Sequence, residues 1–243
     1  MMYQTEFYQK LTEEKKSSAK KYAELIVGTN KLSKLLYYEI IMTLISSLGG
    51  ALGLALRKMF FRRMFYKVGR NVIFGRGMNI RCAGNIEIGS NVIIDEYVLL
   101  DGRGPNEVNL RVGSNVFIGR GSLISCHDGT IEIGDNTNIG PAGMLISGSN
   151  LIVGKNVIMA GNCYIAATTK RIDRLDVPII AQGYIGEGVI VGDNVWLGAG
   201  VIINDGVKVG ANCVIGSGAV VTKDIPDCFI AYGVPAKPIK RRK

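Results

Sequence analysis

The sequence predicts a mainly β chain: a parallel β-helix behind an α-helical N-terminal segment. Three observations predict it. From Val191 to Val220, five consecutive six-residue units read VGDNVW, LGAGVI, INDGVK, VGANCV and IGSGAV. Each opens on an aliphatic residue and carries Val, Cys or Ala at its fifth position. A period of six is neither the helical 3.6 nor the two of a simple strand. It is the period of a coil built from three short strands, in which positions one and five point inward and glycines serve the corners. Second, the tetrapeptide aliphatic-Gly-x-Asn recurs at Val68, Ile88, Val112, Ile133, Val153, Val191 and Val209, at intervals of 20, 24, 21, 20, 38 and 18. Eighteen is one full coil, so the longer intervals carry inserts that must leave the column. Third, the 32 glycines do not fall every third residue, which excludes a collagen-like chain.

Taken in order, residues 1–67 read as a helical segment. Residues 1–34 are polar and mixed in charge, a surface helix with a break near Gly28-Thr29-Asn30. Leu35 to Leu56 is the most apolar stretch, near the ~20 residues a bilayer span needs, but it holds Glu39 and Gly49-Gly50. A basic run follows, with Arg57, Lys58, Arg62, Arg63, Lys67 and Arg70 interleaved with Phe60, Phe61, Phe65 and Tyr66. Cations beside an apolar stretch fit an interfacial anchor on an anionic membrane. A hairpin packed on a neighbouring subunit is the alternative. Residues 68–221 are the β-helix, seven coils or roughly 34 Å at ~4.8 Å per rung. The largest insert, near Lys170 to Gly188, is expected to protrude. Residues 222–243 form a C-terminal cap and basic tail.

The net charge of +9 points to phosphate or an anionic surface. Nucleic acid is not expected, because no binding motif or run of stacking aromatics is present. The cysteines at 82, 126, 163, 213 and 228 are odd in number and scattered, which reads as free thiols in a reducing, cytoplasmic setting.

The run DNVWLGAG, followed by VVTKDIP and GVPAK, resembles the hexapeptide-repeat acyltransferases, nearest the galactoside, maltose and polysaccharide O-acetyltransferases. The resemblance implies a left-handed parallel β-helix and a homotrimer with acetyl-CoA in the groove between two prisms. It implies contacts to the pantetheine arm from corner residues Ala199 and Ser217. Thr222 and Lys223 would lie near the nucleotide, and Lys240 near the phosphates. Corner packing and solvated surface charge are the plainer readings of these five. No metal is implied, since one histidine cannot supply a three-histidine zinc site.

The reaction needs a base for the acceptor hydroxyl, and histidine suits that near neutral pH. The family's histidine position holds Lys170 here, with Arg171 next. Two acceptor-side positions depart as well, at Ala142 and Gly148. The one histidine, His127, sits at the same place in its coil as Thr168 two coils later, about 10 Å away. His127 and Lys170 are therefore the catalytic candidates, although an exposed lysine is almost wholly protonated at neutrality. The expected function is acyl-CoA-dependent O-acyl transfer to a saccharide or lipid-linked glycan precursor at the cytoplasmic membrane face. The alternative is an inactive trimer that serves as a scaffold or partner of an active paralogue.

Overall fold

The computed structural model describes residues 17–243. From Lys67 the chain winds as a three-sided parallel β-helix. Face A takes one strand from each of seven coils, from Lys67–Val68 to Lys208–Val209. Face B begins at Ile73–Phe74, and face C, also of seven strands, at Asn79–Arg81. Every aliphatic-Gly-x-Asn unit ends a face A strand: Val68, Ile88, Val112, Ile133, Val153, Val191 and Val209 are successive register partners. First-position residues Val191, Leu197, Ile203, Val209 and Ile215 are fully buried, and so are the fifth-position residues Val201, Cys213 and Ala219. A buried aliphatic side chain contributes about 1.5–3 kcal/mol. Two such residues in every six let strands of only two residues hold.

The corner after face A is made by asparagine. Asn71, Asn91, Asn115, Asn136, Asn156, Asn194 and Asn212 all sit at φ between 53° and 60°, the left-handed region that asparagine tolerates. Their side chains stack as a ladder: Asn91 Nδ2 donates to Asn115 Oδ1 at 3.0 Å, and Asn115 Nδ2 to Asn136 Oδ1 at 3.0 Å. The neighbouring glycine has a different task. A Cβ on Gly134 would stand 2.6 Å from the backbone of Gly154 in the next coil, so coils can close only over glycine. This divides the corner role that the sequence assigns to glycine alone.

All inserts leave at the corner between face C and the next face A, at 82–85, 102–109, 126–129, 148–149 and 168–188. At the far end, Phe229–Gly233 pairs with the last face B strand and folds back on Ala236–Arg241, which brings face B to nine strands.

The N-terminal helices close the other end. Helix α1, Ser18–Tyr22, runs into one wider turn at Ala23–Val27, which stops at Gly28 with φ 73°. Helix α2 is Leu32–Leu44 and α3 is Gly50–Phe60. Together α2 and α3 lie across the first coil and satisfy its outermost carbonyls. Tyr38 Oη donates to Ile80 O at 2.8 Å, Ser46 Oγ to Met78 O at 3.0 Å and Arg57 Nε to Phe74 O at 2.8 Å. Phe61 and Phe65 are buried against Phe74, with ring centroids 5.6 and 5.5 Å away. Part of the aromatic-and-basic run that resembles an anchor is therefore the plug of the prism. No helix among the described residues is long and apolar enough to cross a membrane.

Candidate active site

The insert corner carries the candidate chemistry. Asp101 pairs with Ser125 in register across adjacent coils, and Ser125 with Ile146 in the next. Two residues further on in each coil stand Arg103, His127 and Gly148. A Cβ on Gly148 would lie 2.6 Å from Thr168 Oγ1 and 3.5 Å from the His127 carbonyl. His127, Gly148 and Thr168 thus stack along one corner, and Gly148 is held small by Thr168.

The long insert rises from this corner as a hairpin. Thr169–Lys170 pairs antiparallel with Tyr184–Ile185, with Lys170 opposite Tyr184. Gln182 ties the tip: its Oε1 accepts from Arg174 N at 3.1 Å, and its Nε2 donates to Val177 O at 3.0 Å. Asp205 receives Glu187 N and Gly188 N and pins the exit of the insert to the sixth coil. Asp193 receives Lys155 N across the first corner. Both aspartates have structural work, each accepting backbone N–H groups across a corner.

Tyr184 joins the two candidate residues. The Lys170 ammonium lies 3.4 Å from the centre of the Tyr184 ring. The His127 ring meets the same tyrosine edge-on, with centroids 6.3 Å apart and planes at 78°. A lysine on a tyrosine face sits there as a cation. That suits Lys170 to holding negative charge and not to removing a proton. His127 is half-buried, and it is the one group in the cluster whose ordinary chemistry is proton transfer near neutrality. One coil earlier, Asp101 is buried and accepts from Arg103 Nε at 2.8 Å, with an Arg103 Nη2 contact of 2.6 Å. A fixed guanidinium therefore flanks His127 along the corner.

Tyr184 is absent from the sequence reading. The available signal was coarser: an insert that leaves and re-enters one corner must bring its two ends together, while the register that sets Tyr184 opposite Lys170 comes from the structure. The Cys126 thiol next to His127 is no nucleophile, because burial pushes it well above the usual thiol range.

The cofactor-side residues fall on two corners. Ala199 and Ser217 are exposed on the corner between faces B and C, stacked in successive coils, with Gly218 N donating to Ala199 O at 2.8 Å. Thr222 and Lys223 are exposed on the insert corner of the last coil, in line with His127. Lys240 lies on the C-terminal hairpin opposite Ile230. Neither Lys223 nor Lys240 is in an ion pair among the described residues. No cluster of metal-ligating side chains occurs among the described residues. The face between the two corners, face C, presents an outward apolar row: Leu99, Leu123, Met144, Tyr164, Ile202 and Val220 are in register. Face A presents charge instead, with Lys67, Glu87, Arg111 and Glu132 linked at 2.9 to 3.7 Å.

Comparison with known proteins agrees with this architecture. Residues 184–223 match the family model of the bacterial transferase hexapeptide, six repeats. A "probable acetyltransferase" of Mycobacterium tuberculosis is 33% identical over 139 residues, 57% of this chain. The chain spans 46% of the length of that relative. Among solved structures, AntD, an N-acyltransferase from Bacillus cereus, in complex with dTDP and 3-hydroxybutyryl-CoA, superposes with a TM-score of 0.55 at 23% identity, covering 77% of this chain and 88% of its own. A mutant of AntD in complex with dTDP-4-amino-4,6-dideoxyglucose and coenzyme A gives 0.51 at 25% identity, covering 78% and 88%.

Proposed function

We propose that this hexapeptide-repeat chain is an acyltransferase that moves an acyl group, acetyl first among candidates, from coenzyme A to a saccharide. The observation that carries the reading is the convergence of His127, Lys170 and Tyr184 at the foot of the long insert, in line with Thr222 and Lys223. The acceptor is a hydroxyl of a saccharide or lipid-linked glycan precursor at the inner membrane face. The basic and apolar residues of 31–63 support the location.

The cofactor would supply an acyl carbonyl activated as a thioester. His127 takes the proton from the acceptor hydroxyl as its oxygen bonds to that carbonyl. As the carbon–sulfur bond gives way to the new carbon–oxygen bond, His127 would return the proton to the leaving sulfur. Lys170 sits by the negative charge that develops on the carbonyl oxygen. Tyr184 holds both residues in place. Lys223 and Lys240 would meet the cofactor's phosphates.

One protomer cannot complete this site, because Ala199 and Ser217 lie on a different corner from His127. A homotrimer solves this when the insert corner of one protomer meets the B–C corner of the next, a heterologous contact that closes as a ring. Face C, apolar and flanked by both corners, then turns to the axis, and charged face A to water.

Turnover of acetyl-CoA with a panel of sugar acceptors, hydroxyl and amino, tests the reading. Wild type should turn over, and His127→Ala should lose about 10²-fold or more. Full activity in His127→Ala would overturn the assignment of the base. The second reading, a scaffold without catalysis, is favoured by lysine at the expected histidine position. It predicts no turnover with any acceptor.

A further inference from the structure

The helical hairpin has two faces with opposite destinations. One face, through Tyr38, Ile41, Ile45 and Phe61, is buried on the first coil. The other is apolar and bare. On α2, Leu32, Leu36, Ile40 and Leu44 recur every fourth residue and are 68, 53, 54 and 62% exposed, directly opposite the buried arc. Leu48 and Leu52 continue the patch toward and along α3. Residues 31–63 carry six basic side chains and one acidic one. Of these, Arg57 is buried under the carbonyls it serves, and the acidic Glu39 accepts from Tyr22 Oη at 2.6 Å. Lys31, Lys34, Lys58, Arg62 and Arg63 remain exposed. Soluble chains rarely leave such an apolar patch uncovered. Its cationic surround fits anionic headgroups, whereas a second copy of the same patch would bring like charges together.

From this we infer that the hairpin seats the prism end-on on an anionic bilayer, with the leucine-rich face of α2 and α3 in the acyl boundary. The inference deepens the membrane-face part of the function proposed above and stands apart from acyl transfer. The hairpin lies across the end of the column, so the column stands up from the membrane. His127 follows the third coil, and Lys170 the fifth. At ~4.8 Å per rung, above a helix layer of ~10 Å, the site is held about 20 to 30 Å above the acyl boundary. An acceptor on a lipid must reach that height, so it is an oligosaccharide chain and not a single sugar at the lipid phosphate. In a ring of parallel columns, all hairpins face one way and bind together.

Vesicle flotation of the full chain without cofactor tests the seat. Wild type should float with phosphatidylglycerol vesicles and not with phosphatidylcholine ones. Leu36→Glu with Ile40→Glu, and separately Arg62→Glu with Arg63→Glu, should each cut binding at least about tenfold, while thermal unfolding shows the fold retained. The arginine variant keeps the test open if the first misfolds. Orientation is read with brominated lipid. Trp196, the single tryptophan, is 53% exposed on face B of the sixth coil and should not be quenched. A tryptophan introduced by Leu36→Trp in a Trp196→Phe background should be. No flotation, equal flotation of the variants, or quenching of Trp196 would overturn the inference. So would a change of oligomer mass in Leu36→Glu without vesicles, which would mark the patch as a contact between copies, or loss of flotation on deleting residues 1–16 alone. Failed flotation beside intact acetyl transfer removes the membrane seat and leaves the chemistry standing.

Discussion

At the scale of single residues, glycines at different corners do unlike work, and substitution separates them. Gly134→Ala forces a Cβ to 2.6 Å from the next coil's backbone, whereas a Cβ on Gly121, at φ 68°, meets nothing within 4 Å. Gly121→Ala should cost about 1–2 kcal/mol, the strain of a left-handed residue. Gly134→Ala should cost clearly more, and denaturant titration of the two variants reads the difference. Equal costs would mean that the coils do not need the close approach. The buried thiols make a second prediction at this scale. Burial holds Cys126, Cys163 and Cys213 protonated, their pKa values raised, and burial raises that of Tyr38 likewise. In the unfolded chain, thiols ionise from about pH 8.5. A raised folded pKa gives stability that is complete below the unfolded value and lost as pH climbs toward the folded one. The denaturant midpoint should therefore be lower at pH 10 than at pH 7, and an unchanged or higher midpoint would contradict the burial of these groups.

At the scale of elements, the repeat was legible and the cap was not. Period six placed the inward positions, the corners and the protruding insert, because each coil repeats one local rule. The run from Arg57 to Arg70 serves two roles that its composition does not separate: Arg57, Phe61 and Phe65 pack on the first coil, while Lys58, Arg62 and Arg63 stay exposed. A basic residue among aromatics looks the same whether it faces lipid or bonds the carbonyls of an open sheet end, and only the packing of α3 on Phe74 decides. Arg57→Met tests that role. It should leave the Phe74 and Leu48 carbonyls unpaired and cost about 1.5–3 kcal/mol in thermal or denaturant unfolding. A cost near zero would show the first coil capped without it. The insert teaches the same lesson. Lys170 could be located in the sequence, but its partner Tyr184 comes from a return strand whose register the hexads do not specify.

At the scale of the whole molecule, the candidate residues divide between two corners of one prism, and in the proposed ring neighbouring prisms bring them together. His127 and Lys223 stand on the insert corner, Ala199 and Ser217 on the other. The most direct measurement is subunit complementation. His127→Ala removes the base from one corner, and Ser217→Trp blocks the cofactor's path on the other. Each variant alone should be inactive in acetyl-CoA turnover. Chains unfolded together in equal amounts and refolded should recover up to about a quarter of wild-type activity, the share of sites that draw both intact corners from different chains. Mixed oligomers that stay as inactive as either parent would contradict a site shared at the seam.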